Sequence, residues 1–436
     1  MPGTSLLGTL SGRACLLAAL HVVGLPGLAL AQASPLELKA EAAPPEPAVL
    51  TGRIERIEIQ GNTRTKESVI VRALRMAPGD ALTAGDVGEL KRRLMNLKLF
   101  TSVDVTTRAD GPGIALQVQV EERWTLLPIP VFSSSDGQWQ AGVFAVESNL
   151  LGLNKTLVFG GLGGNRGGTL FTMYRDPGIA GSRWTGLVTL QVSKTDRERR
   201  VEDVVLEAYT DRRFDIAGTL GYQLTPELNV GGGLFSLTNK PLASAVGGSV
   251  PERGSVHGVT LMAEYLGQDF HFYFNEGLVA RASYREGVRA LGSSRDLQQL
   301  SLSASYTLPV LGTHALTLTA MHSRSLGNPF LDAQLLGGVT GSRGFTSGTL
   351  WAETASTATL EYQVPLWSPR LATFTAHVFV DVGRVKWRDS LTRYAAPGVG
   401  FRVYIRDVAI PAVGVEVVRD PESGDFLPVA TVGFGF

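Results

Sequence analysis

Imidazole is the side chain most often used for proton transfer near neutral pH, and five histidines lie downstream of residue 33: His257, His271, His314, His322 and His377. None sits in a pattern that makes it a catalyst. There is no His-Glu-x-x-His to place two imidazoles on one helix face for zinc, no Gly-x-Ser-x-Gly elbow and no phosphate loop. His271 or His322 next to a serine is the residual hydrolase reading. The glycines at 160, 161, 163, 164, 167 and 168 miss the dinucleotide fingerprint, because Arg166 stands where its third glycine belongs. They read instead as a strand and hairpin that need small residues. The only cysteine, Cys15, falls in the N-terminal leader, which leaves no disulfide and no thiolate metal site for the rest of the chain. No catalytic residue, metal or cofactor is expected, and the protein is read as a non-enzyme.

The 436 residues carry 40 Lys+Arg against 40 Asp+Glu. A nucleic-acid binder would need a basic excess to neutralise phosphates, so that class is set aside. With 44% apolar and 18% charged residues the chain has enough to bury and is not disordered. Beyond residue 30 no run approaches the roughly 18 apolar residues of a spanning helix, so its apolar content is spread over many short segments. Residues 1–33 have the form of a secretory leader. Arg13 gives a weak positive start, an apolar core follows from Cys15 to Leu30, and Ala31-Gln32-Ala33 or Ala29-Leu30-Ala31 supplies the cleavage site. Residues 34–52, rich in Pro, Ala and Glu, read as a flexible linker.

Residues 53–122 form a mixed unit. Ile54, Ile57 and Ile59 open with a strand, a helix spans about 66–76, and a second starts at Thr83 with Val87, Leu90, Leu94 and Leu97 on one face. Val103 and Val105, then Ile114, Leu116, Val118 and Val120, alternate as two closing strands. The predicted order is β-α-α-β-β. From 123 to 436 the texture changes to segments of about ten residues with a two-residue period, as in Leu300, Leu302, Ala304, Tyr306 and Leu308 against Ser301, Ser303, Ser305 and Thr307. That stretch is longer than one sandwich usually holds. A closed barrel satisfies every backbone group with apolar residues towards lipid and polar ones towards a wet lumen. The fold class is therefore mainly β, a 16-stranded antiparallel transmembrane barrel preceded by one small α+β domain; twelve or fourteen strands remain open if short ones merge. The longest connection is 326–355.

Parity fixes which charges face inward. Leu360, Tyr362 and Val364 face lipid, so Glu361 points into the lumen; Val378, Val380 and Val382 do the same for Asp381, with Phe379 and His377 beside it. At the C-terminus Ala430, Val432, Phe434 and Phe436 share a face and the chain ends on the aromatic, the form of terminal strand that bacterial insertion machinery reads. Trp124 opens the first strand, which Pro128 and Pro130 are expected to break, weakening the seam with the last one.

In this order and spacing the chain resembles the BamA/TamA superfamily of outer-membrane assembly and translocation factors. Residues 53–122 look like a polypeptide-transport-associated (POTRA) domain in Ile57-Glu58-Ile59-Gln60-Gly61-Asn62, Leu97-Lys98-Leu99-Phe100 and Val118 to Glu121. The barrel adds Asn149-Leu150-Leu151-Gly152, Asp176-Pro177 and Gly341-Ser342-Arg343-Gly344-Phe345, with Ser342 where the family has Val. The resemblance implies that Arg343, Gly344 and Phe345 tip a long loop folded into the lumen. There Arg343 would be held by Glu361 of Leu360-Glu361-Tyr362 and Asp381 of Phe379-Val380-Asp381-Val382-Gly383. It further implies a periplasmic POTRA domain that takes unfolded outer-membrane or secreted polypeptides on a sheet edge near Val103 and Val105. The seam marked by Trp124, Phe434 and Phe436 would then insert or pass them, with outer-membrane lipid and other envelope proteins as further partners. The alternatives are a passive diffusion pore, which normally lacks both the small domain and the Arg-Gly-Phe loop, and a dedicated exporter of one partner, whose relatives carry two POTRA domains where one is found here.

Overall fold

The computed structural model describes residues 50–135, 137–201, 204–243, 249–270, 273–338, 340–405 and 411–432. The leader 1–33, nearly all of the linker 34–52, and Phe434 and Phe436 lie outside the described residues.

The small domain runs β1 (Gly52–Gln60), α1 (Glu67–Leu74), β2 (Ala81–Leu82), α2 (Ala84–Asn96), β3 (Phe100–Asp110) and β4 (Gly113–Glu122). Its sheet has the order β2-β1-β4-β3, with β1 parallel to β4 and the other pairs antiparallel. The sequence reading missed β2, which at two residues is too short to show alternation. One face of the sheet and one stripe of each helix close a core of Ile54, Ile70, Leu74, Leu90, Leu94, Leu99 and Leu116, with Val87 and Leu97 half-buried at its rim. At the start of α2 the Asp86 carboxylate accepts the Thr83 backbone N–H at 2.8 Å and its hydroxyl at 2.7 Å, ending the loop that leads in from β2.

Sixteen strands close the barrel, from Leu126–Ser135 to Phe426–Val432, each antiparallel to its neighbours. Leu170, Leu234, Phe401, Val143 and Phe159 stand exposed on the outward parity, an apolar belt that only lipid can cover. No described helix is long and apolar enough to cross a membrane. Inside, bulky rings pack against bare backbone of the next strand, where their directly paired partner is glycine: Phe144 opposite Gly160, Phe235 opposite Gly258, Phe379 opposite Gly398 and Tyr394 opposite Gly383.

Three details differ from expectation. The fifth and sixth barrel strands, which alternation places at about 183–195 and 213–225, run instead over Trp184–Val201 and Val204–Gln223, through a charged run that lacks an apolar face, because a hairpin standing clear of lipid can be polar on both sides. The fourteenth, which alternation places at about 397–408, begins at Ser390. Pro128 and Pro130 do not break the first strand: it pairs with Gln138–Leu150 without interruption, Pro128 opposite Ala145 and Pro130 opposite Val143, both prolines exposed. A proline gives up only its own donor, and neither proline interrupts the register with the second strand.

Candidate functional site

The long connection carries a small hairpin, Gln334–Leu336 with Leu350–Ala352, and its tip turns into the barrel. Ser342 and Arg343 are 1% and 3% exposed and Asp381 is fully buried, so the tip is enclosed by the wall of strands Thr354–Trp367, Ala372–Trp387, Ser390–Ile405 and Pro411–Arg419. Arg343 donates to Asp381 three times: Nε to Oδ2 at 3.0 Å, Nη2 to Oδ1 at 2.8 Å and the backbone N–H to Oδ2 at 3.1 Å. Nη1 reaches Glu361 and Glu416, each at 3.3 Å. The guanidinium carbon lies 3.3 Å from the centroid of the Phe379 ring, so a cation in a water-poor site meets carboxylates at its edge and a π-face below.

The surroundings explain why small residues flank the charge. Phe345 meets Tyr394 edge-on at 4.8 Å, and the Tyr394 hydroxyl donates to the Gly341 carbonyl. A Cβ on Gly383 would come within 2.3 Å of the Tyr394 ring, one on Gly398 within 2.4 Å of Phe379, and one on Gly344 within 2.6 Å of the Ala396 methyl. Ser342, the departure from the usual valine, accepts the Gly337 N–H at 3.1 Å and ties the tip to the hairpin base. The structure thus brings together Arg343, Gly344, Phe345, Glu361, Phe379, Asp381 and Gly383.

Sequence reasoning missed Glu416, which bonds Arg343, Arg402 at 2.7 Å and His377 at 2.9 Å. Arg402 in turn holds Glu361 at 2.5 and 3.0 Å. Parity would have found Glu416, since Val413, Val415 and Val417 are exposed on the other face. Thr359 completes the shell around Asp381 with a 2.8 Å bond.

At the opposite mouth the small domain docks on the barrel's short turns. Asn149 donates its side-chain amide to the Thr65 hydroxyl at 2.9 Å, and the Lys66 N–H bonds the Gly152 carbonyl at 2.8 Å. Gly152, at φ +73°, leaves room for nothing larger: a Cβ would sit 2.1 Å from the Arg64 carbonyl oxygen. Glu122, at the end of β4, gathers the same loop through Thr63, Arg64 and Thr65 at 2.7, 2.8 and 2.6 Å. Burial pushes the Glu122 carboxyl up, but these bonds outweigh it and hold it below its ordinary value. Further along the rim, Arg72 donates to the Gly178 carbonyl, Arg92 and Asn96 bond Asp269, and Lys98 bonds Asn275.

The remaining predicted positions are less concentrated. Trp124 precedes the first strand instead of opening it. Its indole bonds the Leu126 carbonyl beneath the Arg64 guanidinium, and among the described residues it pairs with nothing in the last strand. The seam is instead Val429 to Val432 against Ser135 to Phe132, four register pairs among the described residues, whereas the first strand meets the second over ten. Val103 and Val105 lie on β3, the outermost strand of the small sheet, but are 3% and 5% exposed; their side chains belong to the core and only main chain faces outward. His322 does meet a serine, Ser356, at 2.8 Å, yet the pair lies on the outward parity between Leu302 and Leu360, where it satisfies itself against lipid. No group of three potential metal ligands occurs among the described residues.

A lipid-clad sixteen-strand cylinder, one loop pinned inside it and a small α+β domain at the other mouth define a β-barrel protein of the outer membrane. The chain belongs to the Omp85 superfamily, whose domain matches residues 149–404, and residues 52–123 match the POTRA domain described as a surface antigen variable number repeat. Over 108 residues it is 36% identical to the outer membrane protein assembly factor BamA of Neorickettsia risticii, a stretch that covers 24% of this chain and only 15% of that relative. Among solved structures, BamA from Haemophilus ducreyi lacking POTRA domains 1-3 superposes with a TM-score of 0.55 at 16% identity, over 88% of this chain and 84% of that one. CdiB from Escherichia coli does so with 0.63 at 14%, over 88% and 76%, and CdiB from Acinetobacter baumannii with 0.61 at 14%, over 88% and 74%. At these identities the likeness is one of fold.

Proposed function

We propose that the protein assembles or translocates polypeptides at the outer membrane, with its POTRA domain in the periplasm. An unfolded client pairs first with the free main chain of β3, gaining hydrogen bonds without a side-chain code, and then with the barrel strands at the seam. The observation that carries this reading is the seam itself. Among the described residues the last strand closes on the first through Val429 to Val432 against Ser135 to Phe132, main-chain pairing that an incoming client strand can replace bond for bond. The locked loop argues against a passive pore, because its tip is fixed inside the lumen that such a pore keeps open. The reading assigns no catalytic residue and no cofactor.

Ser134 and Ala430 face each other directly across the seam, so Ser134→Cys with Ala430→Cys can tether it. Oxidation is expected to stop delivery of client proteins, followed as changes in the outer-membrane and secreted proteomes, and a reductant to restore it. Unchanged proteomes with the tether formed would remove the seam mechanism. Depletion that alters neither proteome, together with open-pore conductance, would favour the diffusion channel. Which of the two proteomes responds separates insertion from secretion.

A further inference from the structure

The long loop is fastened at a second place that the Arg343 lock does not involve. Its first limb, residues 328–333, makes a tight turn in which Asn328 Oδ1 accepts the N–H groups of Phe330 and Leu331, both at 3.0 Å, and Asp332 Oδ2 accepts the Asn328 N–H at 2.8 Å. Arg295, from the connection after strand Asn275–Gly287, bonds Asp332 with one nitrogen and Asn239 Oδ1 with another at 2.8 Å. The Asn239 amide donates to both oxygens of Asp211 at 3.1 and 3.0 Å. The Phe330 carbonyl accepts from the Tyr209 hydroxyl at 2.8 Å and from Arg197 at 3.2 Å. Leu331 is fully buried among Tyr209, Trp351 and Trp387. Asp211, Asn239 and Asp332 are 2%, 0% and 3% exposed, so this is a built interior and not a surface contact.

The limb spans the mouth between two walls: strands Trp184–Val201, Val204–Gln223 and Leu228–Ala243 hold it on one side, and on the other Trp387, at the end of the strand that carries Asp381, donates its indole N–H to the Pro329 carbonyl at 3.2 Å. The hydrogen bonding of the two fastenings is unequal. Every nitrogen of the Arg343 guanidinium meets a carboxylate, and of the lock residues described above only His377, at Nδ1, has a buried polar atom without a partner among the described residues. At the limb, Arg197 Nε, Arg295 Nε, Asp332 Oδ1 and Trp351 Nε1 are buried with no partner among the described residues. A buried polar group without a partner gives up its hydration for nothing, so the limb is the fastening that releases at lower cost.

We propose that the long loop is a lid hinged at Arg343 and latched at Asp332, and that parting Asp332 from Arg295 opens this mouth while the Arg343 lock stays shut. This does not depend on what the barrel transports. In the full chain reconstituted in planar bilayers, Asp332→Asn is expected to raise the frequency of large openings by about tenfold, an equilibrium shift of the size one lost charge-assisted contact gives. Tyr209→Phe, which removes one hydroxyl and no charge, should raise it by roughly two- to threefold. Asp332→Arg with Arg295→Asp should return it only part of the way, since an arginine at 332 cannot accept the Asn328 N–H and an aspartate at 295 cannot donate to Asn239. In a Cys15→Ser background, Ala333→Cys reports the limb and Ala355→Cys, packed near Phe345, reports the tip. With Asp332→Asn present, a membrane-impermeant maleimide should label the first and spare the second. Wild-type openings in a folded Asp332→Asn protein would overturn the latch, as would wild-type openings in Tyr209→Phe should Asp332→Asn fail to insert. Equal labelling of both cysteines would overturn the hinge.

Discussion

The main chain of Arg343, and not its guanidinium alone, is bonded to Asp381: the backbone N–H reaches the same Oδ2 that accepts Nε. The carboxylate therefore positions the turn as well as the charge. Removing it leaves a buried cation facing only Glu361 and Glu416, and breaking one partner of a buried pair costs about 3–5 kcal/mol. Asp381→Ala should free the loop more completely than Arg343→Ala, while the barrel still inserts. Protease cleavage within the loop and client delivery are the measurements. Exchanging the two residues should restore part of the activity only, since an arginine at 381 cannot accept the backbone N–H.

Arg343→Lys tests geometry apart from charge. An ammonium cannot span both Asp381 oxygens and Glu416 while lying over Phe379. Activity closer to Arg343→Ala than to wild type is expected in the same assay.

Gly383→Ala and Gly398→Ala should each displace a ring, Tyr394 in one case and Phe379 in the other. Overpacking of this kind costs roughly 1–3 kcal/mol. The expected reading is a lower unfolding temperature on heat-modifiability gels, with protease access at the loop rising in parallel.

The POTRA junction should be acid-labile. The Glu122 carboxyl is held below its ordinary value of 4.5 in the folded protein, so its contribution is complete above that value and is lost as pH falls through the lowered one. Spin-label distances between POTRA domain and barrel should therefore broaden in acid, and Glu122→Gln should broaden them already at neutral pH and remove that pH dependence.

Gly152→Ala should act on the same junction without changing charge. A methyl 2.1 Å from the Arg64 oxygen, at a backbone angle that side chains avoid, must push the domain off the turn. Client delivery should fall while the heat-modifiability of the barrel is unchanged.

All sixteen strands were legible in the sequence because a wall with lipid on one side and water on the other imposes a strict two-residue alternation. The same alternation placed Glu361 and Asp381 inside. It was less informative wherever neither face touches lipid, which is why the strand ends around Lys194 to Arg213 and before Pro397 were misjudged. The partnership of Arg343 with those acids came from resemblance, because nothing in a loop's sequence says where it folds back to. Glu416 was within reach of the parity argument, since it stands between exposed valines. The Asp332 network was not, because it joins three strands and two loops that only the closed cylinder brings together.

The hairpin of Trp184–Val201 and Val204–Gln223 rises past the apolar belt and owes much of its shape to the ladder between its own two strands. On its outward face Thr210 bonds Asp196, a contact made within the ladder. Such a mast can be repainted without being rebuilt. With the POTRA domain in the periplasm, as proposed, substitutions on its outer face would change what an antibody or a phage meets first while leaving the machinery below untouched, and the same freedom would make it a natural place to graft an epitope.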